Sequence, residues 1–421
     1  MDCMALGVMS AYDYYRYIVN VYYKTDIKEI VMKQKKNILF IMGKLDSGGV
    51  SKSMLSLLNV IDKEGYNISL LLINTTGVFT NNVPKGVEVL MDKRLTALTN
   101  GVRGVAELMR WGYWGLVLAS LFKLFLASIS KVYAGLWLAK IMPRIVERPF
   151  DLIIDYGGQH QLYYMVNKLN GKKKITFFHS DYHKWNYYER ADRQYLAHVD
   201  RIYTISETCV NALREVFPEY ADKVRLMENI LSPTLIVGLA DEPCALKNHQ
   251  YLFVSLGHVC RSKGSDLALR VAGQLQRNKV DFEWWFIGNM SKDCDYFQLA
   301  KEEDVTDRVK FLGIQSNPYP YLKKADIVVH LSQYEGKSIA LDEAKLLCKP
   351  IVVANYSTVR DQFIDHLNGS ICERNVESAT KAITELLENE ILRQSYIEYL
   401  KFHINDNSEE INKIYNLVRD N

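Results

Sequence analysis

The feature that most constrains this chain is a repeated order of short apolar runs, polar loops and helical segments. Asn37–Met42 is a run rich in strand formers, and a loop containing Gly48 and Gly49 follows it. The next segment has apolar residues near helical spacing and ends at Gly65, before a second apolar run at Ile68–Ile73. A strand, a loop, a helix and a strand in this order predict a parallel sheet of the Rossmann kind.

The same order recurs in both halves of the chain, which predicts an α/β protein with two doubly wound domains. Further strands are predicted at 151–155, 174–178 and 201–205, and then at 252–256, 283–287, 309–312, 327–330 and 350–353. Proline and polar residues collect near 229–248, where we expect a linker. Tandem domains of this type form a ligand cleft between the carboxyl ends of their sheets.

Segment boundaries follow from this division. We expect Rossmann-like domains at 37–230 and 231–400, with a helical tail at 401–421. Residues 1–36 are Tyr-rich, carry charge throughout and lack the apolar stretch of a signal peptide. We expect 1–36 to be an N-terminal extension, in which 1–31 precede a natural start at Met32.

The overall composition narrows the class of function. The net charge of +3 is too small for the concentrated basic face of a nucleic-acid-binding protein. The seven cysteines are scattered without a C-x-x-C pair, which argues against a disulfide framework or a zinc site and favours a cytoplasmic location.

Residues 102–146 form a hydrophobic insert in the first domain. Their longest uncharged run has 12 residues, short of the roughly 20 that span a bilayer. Two interpretations stay open: a surface that sits on the cytoplasmic leaflet of the membrane, or a pair of buried helices.

Two loops of the second half carry candidate binding residues. Gly257–Gly264 follows a predicted strand, opens a helix and contains His258, Arg261 and Lys263, which suits a diphosphate as well as a solvated basic turn. Glu335–Glu343 reads EGKSIALDE and also follows a buried strand. Gly336 permits a close approach of another group to the backbone, and Ser338 is a good N-cap residue for the helix that follows. The carboxylates of this segment can accept hydrogen bonds from the hydroxyls of a sugar or a ribose.

Glu335–Glu343 resembles the E-x7-E signature of family 4 glycosyltransferases, which are retaining enzymes of GT-B fold. Gly257–Gly264 is similar to the family's G-R-x4-K-G loop, and Asn37–Ser53 to its first strand and Gly-Gly loop. Phe178–Asp181 resembles its His-containing loop, and Pro350–Gln362 resembles relatives that assemble bacterial surface polysaccharides.

The resemblance implies a role for each matching residue. Glu343 would hold the nucleotide ribose, Glu335 the transferred sugar and Lys263 the donor diphosphate. His179 would lie by the anomeric centre, and Gly48 and Gly49 near the donor phosphates or the acceptor. The other implied donor-binding residues are Gly257, His258, Arg261, Gly336, Lys337, Ser338 and Ile339.

His258 departs from the family, which usually has Arg after the first glycine of this loop. A neutral imidazole donates one hydrogen bond, whereas the guanidinium group of Arg is always charged and carries several N–H donors in one plane. Either Arg261 supplies the charge, or His258 must be protonated, and transfer would then fall as the pH rises and the ring loses its proton.

No cofactor is expected. The leaving diphosphate would be met by cations and helix N-termini, so a metal-independent reaction is predicted. Asp293-Cys294-Asp295 is a literal D-x-D metal motif, but it stands in a polar loop away from the other motifs. Neither a P-loop nor a G-x-G-x-x-G site follows the first strand.

The predicted substrates are a nucleotide-sugar donor, with UDP as the commonest choice, and a lipid-linked or glycan acceptor of a growing surface polysaccharide. The predicted location is cytoplasmic, with the inner face of the cell membrane as a candidate partner and no nucleic acid. Two alternatives remain open, a GT-B-fold UDP-sugar epimerase and a non-catalytic partner subunit of a glycosyltransferase.

Overall fold

Two parallel β-sheets organise the chain, one in each half. The structure, a computed structural model, describes residues 35–46, 48–184, 188–245, 247–403 and 407–419. The predicted mis-start at 1–31 and most of the predicted extension lie outside these residues. All strand pairs within the two sheets are parallel, which confirms the predicted α/β class.

The first sheet has seven strands in the order β3-β2-β1-β4-β5-β6-β7. Its central strands are buried along most of their length, as expected when helices cover both faces. The strands are β1 Lys36–Met42, β2 Tyr66–Leu72, β3 Val87–Met91, β4 Phe150–Asp155, β5 Gly171–Phe178, β6 Arg201–Thr204 and β7 Val224–Leu226.

The second sheet has six strands in the order β10-β9-β8-β11-β12-β13. Its strand β9 is buried at every position and carries Trp284 and Trp285 into opposite faces of the core. The strands are β8 Tyr251–Leu256, β9 Phe282–Ile287, β10 Val309–Gly313, β11 Ile327–His330, β12 Ile351–Ala354 and β13 Ser370–Cys372.

Helices cover the two sheets. In chain order they are α1 Gly49–Val60, α2 Lys93–Thr99, α3 Gly101–Arg110, α4 Trp114–Ile129, α5 Lys131–Ile141, α6 His160–Lys168, α7 Glu189–Leu196, α8 Glu207–Val216, α9 Pro233–Leu239, α10 Ser265–Arg277, α11 Tyr296–Glu302, α12 Tyr319–Lys324, α13 Ile339–Leu346, α14 Val376–Glu388, α15 Glu390–Phe402 and α16 Asn412–Arg419. Short 3-10 turns lie at 80–82, 218–220, 261–263, 359–361 and 408–411.

The C-terminal helix α16 returns to the first sheet. Ile414 and Val418 join the apolar cluster on one face of that sheet. The ring of Tyr415 stacks on Tyr66 with 5.1 Å between centroids, and Lys173 Nζ donates to the Leu417 carbonyl at 3.0 Å. The described part of the predicted helical tail from 412 to 419 therefore packs on the first sheet.

The structure corrects the sequence prediction at two helical segments. The first helix ends at Val60 rather than Gly65, because the Asp62 carboxylate accepts the Glu64 and Gly65 N–H groups and closes a turn. The 102–146 insert forms three helices, α3 to α5, rather than a buried pair, and part of their surface is exposed. None of the helices within the described ranges is long and apolar enough to cross a bilayer.

Candidate functional site

The two halves meet where the loops after β5 and β11 touch. Gly336 is buried against the first half, and a Cβ atom there would lie 2.5 Å from the His179 carbonyl oxygen. Only glycine allows this approach. Beside it, Ser357 Oγ donates to Asp181 Oδ2 at 3.0 Å, and the Thr208 N–H donates to Asp361 Oδ2 at 3.1 Å. The site therefore lies in a closed cleft between the halves.

Glu335 is held by two nitrogens of the second half. Lys263 Nζ lies 2.5 Å and His330 Nε2 lies 2.8 Å from the same oxygen, Oε1. Burial raises the pKa of Glu335, but the charge of Lys263 and the bond from His330 outweigh it and hold the pKa at about 2. The carboxylate is therefore ionised, and among the described residues no side chain hydrogen-bonds its second oxygen.

The loop between β8 and α10 brings Lys263 to this carboxylate. Gly264 has φ +74°, and a Cβ atom there would lie 2.1 Å from the Leu331 carbonyl oxygen at the end of β11. Glycine thus seats the loop against the neighbouring strand. The side chains of His258 and Arg261, in contrast, are exposed, and the Arg261 backbone N–H donates to Asp293 Oδ2 at 2.9 Å.

Glu343 is held by one residue from each half. It is 1% exposed; Lys52 Nζ from α1 lies 3.0 and 3.1 Å from its two oxygens, and Tyr319 OH donates to Oε1 at 3.0 Å. Burial and the carboxylate charge raise the pKa of Tyr319, so it stays a donor. The cation that neutralises Glu343 thus comes from across the cleft.

Residues of both predicted loops line one cavity. This space of about 70 Å³ is bordered by Gly49 and Lys52 of the first half and by Gly257, His258 and Ile339 of the second. Ligand sites for small molecules usually measure about 300–1,000 Å³. The closed cleft must therefore widen before it accepts a large ligand.

His179 follows β5 and stacks against aromatic rings. Its ring lies 4.6 Å from that of Tyr156 and 5.8 Å from that of Phe177. Both ring nitrogens are buried, and within the described residues neither makes a hydrogen bond of good geometry. Burial lowers the pKa of His179 to about 4, against small opposing effects of the Tyr156 backbone and Asn229. The imidazole is neutral at neutral pH and has unused hydrogen-bonding capacity.

The polar groups at the start of α13 already have hydrogen-bond or ion-pair partners within the protein. Ser338 occupies the cap position, but its side chain makes no capping bond, and its N–H donates to Gln362 Oε1 at 2.8 Å. Lys337 forms an ion pair with Glu228 across the cleft, at 2.5 Å. The predicted donor-binding roles of Lys337 and Ser338 stay predictions. Gly48, the cap of α1, is exposed near the cleft.

The D-x-D aspartates have structural partners. Asp293 accepts the Arg261 N–H and the Tyr296 OH, at 2.9 and 2.8 Å. Asp295 caps α11 by accepting the Gln298 N–H at 3.0 Å. These bonds account for both carboxylates as loop and helix-cap residues.

Sequence reasoning missed three residues of this site: Lys52, Tyr319 and His330. Lys52 follows the Gly-Gly loop by one helical turn, which is a weak signal of proximity. His330 ends the strand before Glu335, so its position at the cleft edge could have been noticed. Nothing in the sequence around Tyr319 points to Glu343.

Comparison with known proteins shows similarity to glycosyltransferases. The sequence model described as "Glycosyl transferases group 1" matches residues 241–402. An uncharacterized glycosyltransferase from Haemophilus influenzae is 24% identical over 361 residues, which cover 84% of this chain and 91% of that protein.

Two further proteins extend the comparison. Campylobacter jejuni N-acetylgalactosamine-N,N'-diacetylbacillosaminyl-diphospho-undecaprenol 4-alpha-N-acetylgalactosaminyltransferase is 29% identical over 177 residues, which span 41% of this chain and 47% of that enzyme. The crystal structure of Anabaena HepE in complex with UDP and glucose superposes with a TM-score of 0.66 at 15% identity. It covers 92% of this chain and 100% of that one, which supports the predicted GT-B fold.

Proposed function

We propose that the chain, a glycosyltransferase with the GT-B fold, is a retaining enzyme that transfers a hexose-type sugar from a UDP-sugar to a surface polysaccharide or a lipid-linked oligosaccharide. The observation that carries the proposal is the pair of carboxylates at one cleft edge, Glu335 at 11% and Glu343 at 1% side-chain exposure, each neutralised by a lysine.

Glu335 is suited to the transferred sugar. Its Oε1 is fixed by Lys263 and His330, so the carboxylate cannot rotate freely. Its Oε2 is the acceptor that remains for a sugar hydroxyl. Hydrogen bonds to a charged group contribute roughly 1.5–3 kcal/mol, enough to orient the ring.

Glu343 is suited to the two ribose hydroxyls once Lys52 has left. Both of its oxygens face Lys52 Nζ in the closed cleft, so the ribose has to replace that cation. Tyr319, which belongs to the same half as Glu343, can stay bound to Oε1. We therefore assign donor binding to an open cleft that closes again over the nucleotide.

Lys263 and the start of α10 are suited to the leaving diphosphate. A helix N-terminus and a lysine beside it stabilise developing negative charge without reorganisation. In the proposed reaction the C1–O bond to the diphosphate breaks and the acceptor oxygen bonds to C1 from the same face. The acceptor proton passes to the departing phosphate oxygen, so no separate base is assigned.

The neutral ring of His179 is suited to the sugar face of the site. A protonated imidazole would oppose the positive charge that develops on the sugar ring, whereas the low pKa of His179 keeps it uncharged. Its unused nitrogens can bond a sugar hydroxyl. HepE was crystallised with UDP and glucose, and the C. jejuni enzyme is named for a diphospho-undecaprenol acceptor; both support the proposed substrate classes.

A panel of sugar nucleotides tests the proposal. We expect UDP-hexoses to raise the melting temperature more than GDP-, ADP- or dTDP-sugars, because a ligand with higher affinity for the folded state stabilises that state more. The best donor is then incubated with lipid-linked oligosaccharide acceptors, and NMR of the product reports the anomeric configuration. Retention supports the proposal. Inversion overturns the retaining mechanism, and C2 epimerisation of the donor without transfer overturns the proposed reaction.

A further inference from the structure

Helix α4 carries its apolar side chains on the outside of the protein. Between 45% and 69% of each of six large side chains is exposed: Trp114, Leu118, Leu121, Phe122, Phe125 and Ile129. At 3.6 residues per turn these positions fall within an arc of roughly 100°. We call these six residues the α4 face. Helices of soluble proteins usually pack such an apolar stripe against the core, but no part of the chain that the structure describes covers this one.

The charged side chain of α4 points the other way. Lys123 extends inward, and its Nζ donates to the Leu98 carbonyl at the end of α2. Partial burial on this inner side lowers the pKa of Lys123. Val117 and Ser120 are buried on the same inner side. The helix is therefore inverted relative to a water-facing one, with its lysine inside and its phenylalanines outside.

The surroundings of the α4 face are basic. Residues 108–146 contain no Asp or Glu. Within this stretch Arg110, Lys131, Lys140 and Arg144 are exposed, and none forms an ion pair with a described residue. A groove of about 690 Å³ beside α4 is lined by Tyr133, Trp137, Lys140 and Lys168, among others.

We propose that the α4 face docks on an anionic lipid surface. The six apolar side chains enter the region between headgroups and acyl chains, where aromatic side chains are favoured, while the surrounding bases meet lipid phosphates. A second copy of the chain fits less well. A twofold interface would place the basic stretch 108–146, which has no Asp or Glu of its own, against its copy. The proposal does not depend on the reaction assigned to the cleft.

Vesicle co-sedimentation of the full chain tests this surface. We expect the protein to pellet with vesicles of mixed phosphatidylglycerol and phosphatidylcholine, to bind pure phosphatidylcholine weakly, and to dissociate as salt screens the bases. Leu118→Asp with Phe125→Asp should reduce partitioning about tenfold or more. Lys131→Glu should reduce it by roughly fivefold or more.

A matched control uses exposed apolar residues elsewhere. Ile391 and Phe402 of α15 are 85% and 82% exposed, and their double substitution to Asp should leave vesicle binding unchanged. Circular dichroism and melting temperature establish that each variant folds. Wild-type protein that stays in the supernatant with anionic vesicles overturns the proposal, as does equal binding of both double variants. A wild-type dimer that Leu118→Asp and Phe125→Asp convert to a monomer overturns it as well, because a second copy then covers the face.

Discussion

Glu335 and Glu343 stand at the two ends of one short segment but are held by different parts of the molecule. Glu335 binds Lys263 and His330, both from its own half. Glu343 binds Lys52 across the cleft. Opening of the cleft therefore keeps the ion pair of Glu335 and breaks that of Glu343. The comparison teaches that one carboxylate is preset for its ligand, whereas the other exchanges a protein cation for a ligand.

Removal of the Glu343 carboxylate should have the largest effect on sugar transfer. In Glu343→Ala the ribose loses a charged acceptor for two hydroxyls, each worth roughly 1.5–3 kcal/mol, so transfer should fall by about a hundredfold to ten-thousandfold. Turnover of the UDP-sugar measures this loss, with circular dichroism as the folding control. Transfer at the wild-type rate in a folded variant would refute the role of Glu343.

Loss of the preset geometry should have the next largest effect. His330→Leu removes one of the two bonds that orient Glu335, and we expect kcat to fall roughly tenfold to a hundredfold while UDP affinity stays near wild type. His330→Gln keeps an N–H donor and should recover much of kcat. If Gln and Leu behave alike, or if UDP affinity falls with kcat, His330 does not act through Glu335.

The ion pair of Glu335 should also appear in the pH dependence of stability. Its pKa of about 2 lies below the unfolded value, so its contribution is complete above about pH 4.5 and is lost as the pH falls toward 2. Between pH 6 and 3 the unfolding free energy of Glu335→Gln should therefore fall less than that of wild type, by roughly 1–3 kcal/mol. Urea titrations at each pH measure both slopes, and identical slopes would contradict this description of Glu335.

Release of Glu343 from its protein cation should have the smallest effect. Lys52→Met removes the competitor of the ribose, and we expect UDP to bind about twofold to fivefold more tightly, within the range of single ion pairs. Lys44→Met is a matched control, because Lys44 pairs with Asp46 in its own loop. Weaker UDP binding in Lys52→Met would instead make Lys52 a donor-binding residue.

The strands that the sequence does not predict share a physical reason. β3 and β7 are the two edges of the first sheet and β13 is an edge of the second. β7 and β13 have only three residues each, and in β3, Val87–Met91, no residue is fully buried, so none of these three strands has a long continuous apolar run. Central strands, buried on both faces, have that run and are predicted, as is β10, the other edge of the second sheet, which begins with Val309-Lys310-Phe311-Leu312.

The residues of the candidate site also include some that the sequence predicts and some that it does not. Glu335, Glu343, Lys263 and His179 stand in short motifs with fixed spacing, so the sequence can point to them. Lys52 meets Glu343 only after both halves fold and the cleft closes, and no local pattern encodes that contact. The 102–146 insert was ambiguous because a helical wheel does not reveal that Lys123 points inward.

Calorimetric titration of UDP, which lacks the sugar, into two variants tests most directly whether Glu335 binds the sugar and Glu343 the ribose. We expect Glu335→Gln to bind UDP at least as tightly as wild type, because its carboxylate is assigned to the sugar and its loss frees Lys263 for the diphosphate. Glu343→Gln should bind UDP at least tenfold more weakly, because the ribose loses a charged acceptor. Equal loss of UDP affinity in both variants, or loss in Glu335→Gln alone, would contradict the account.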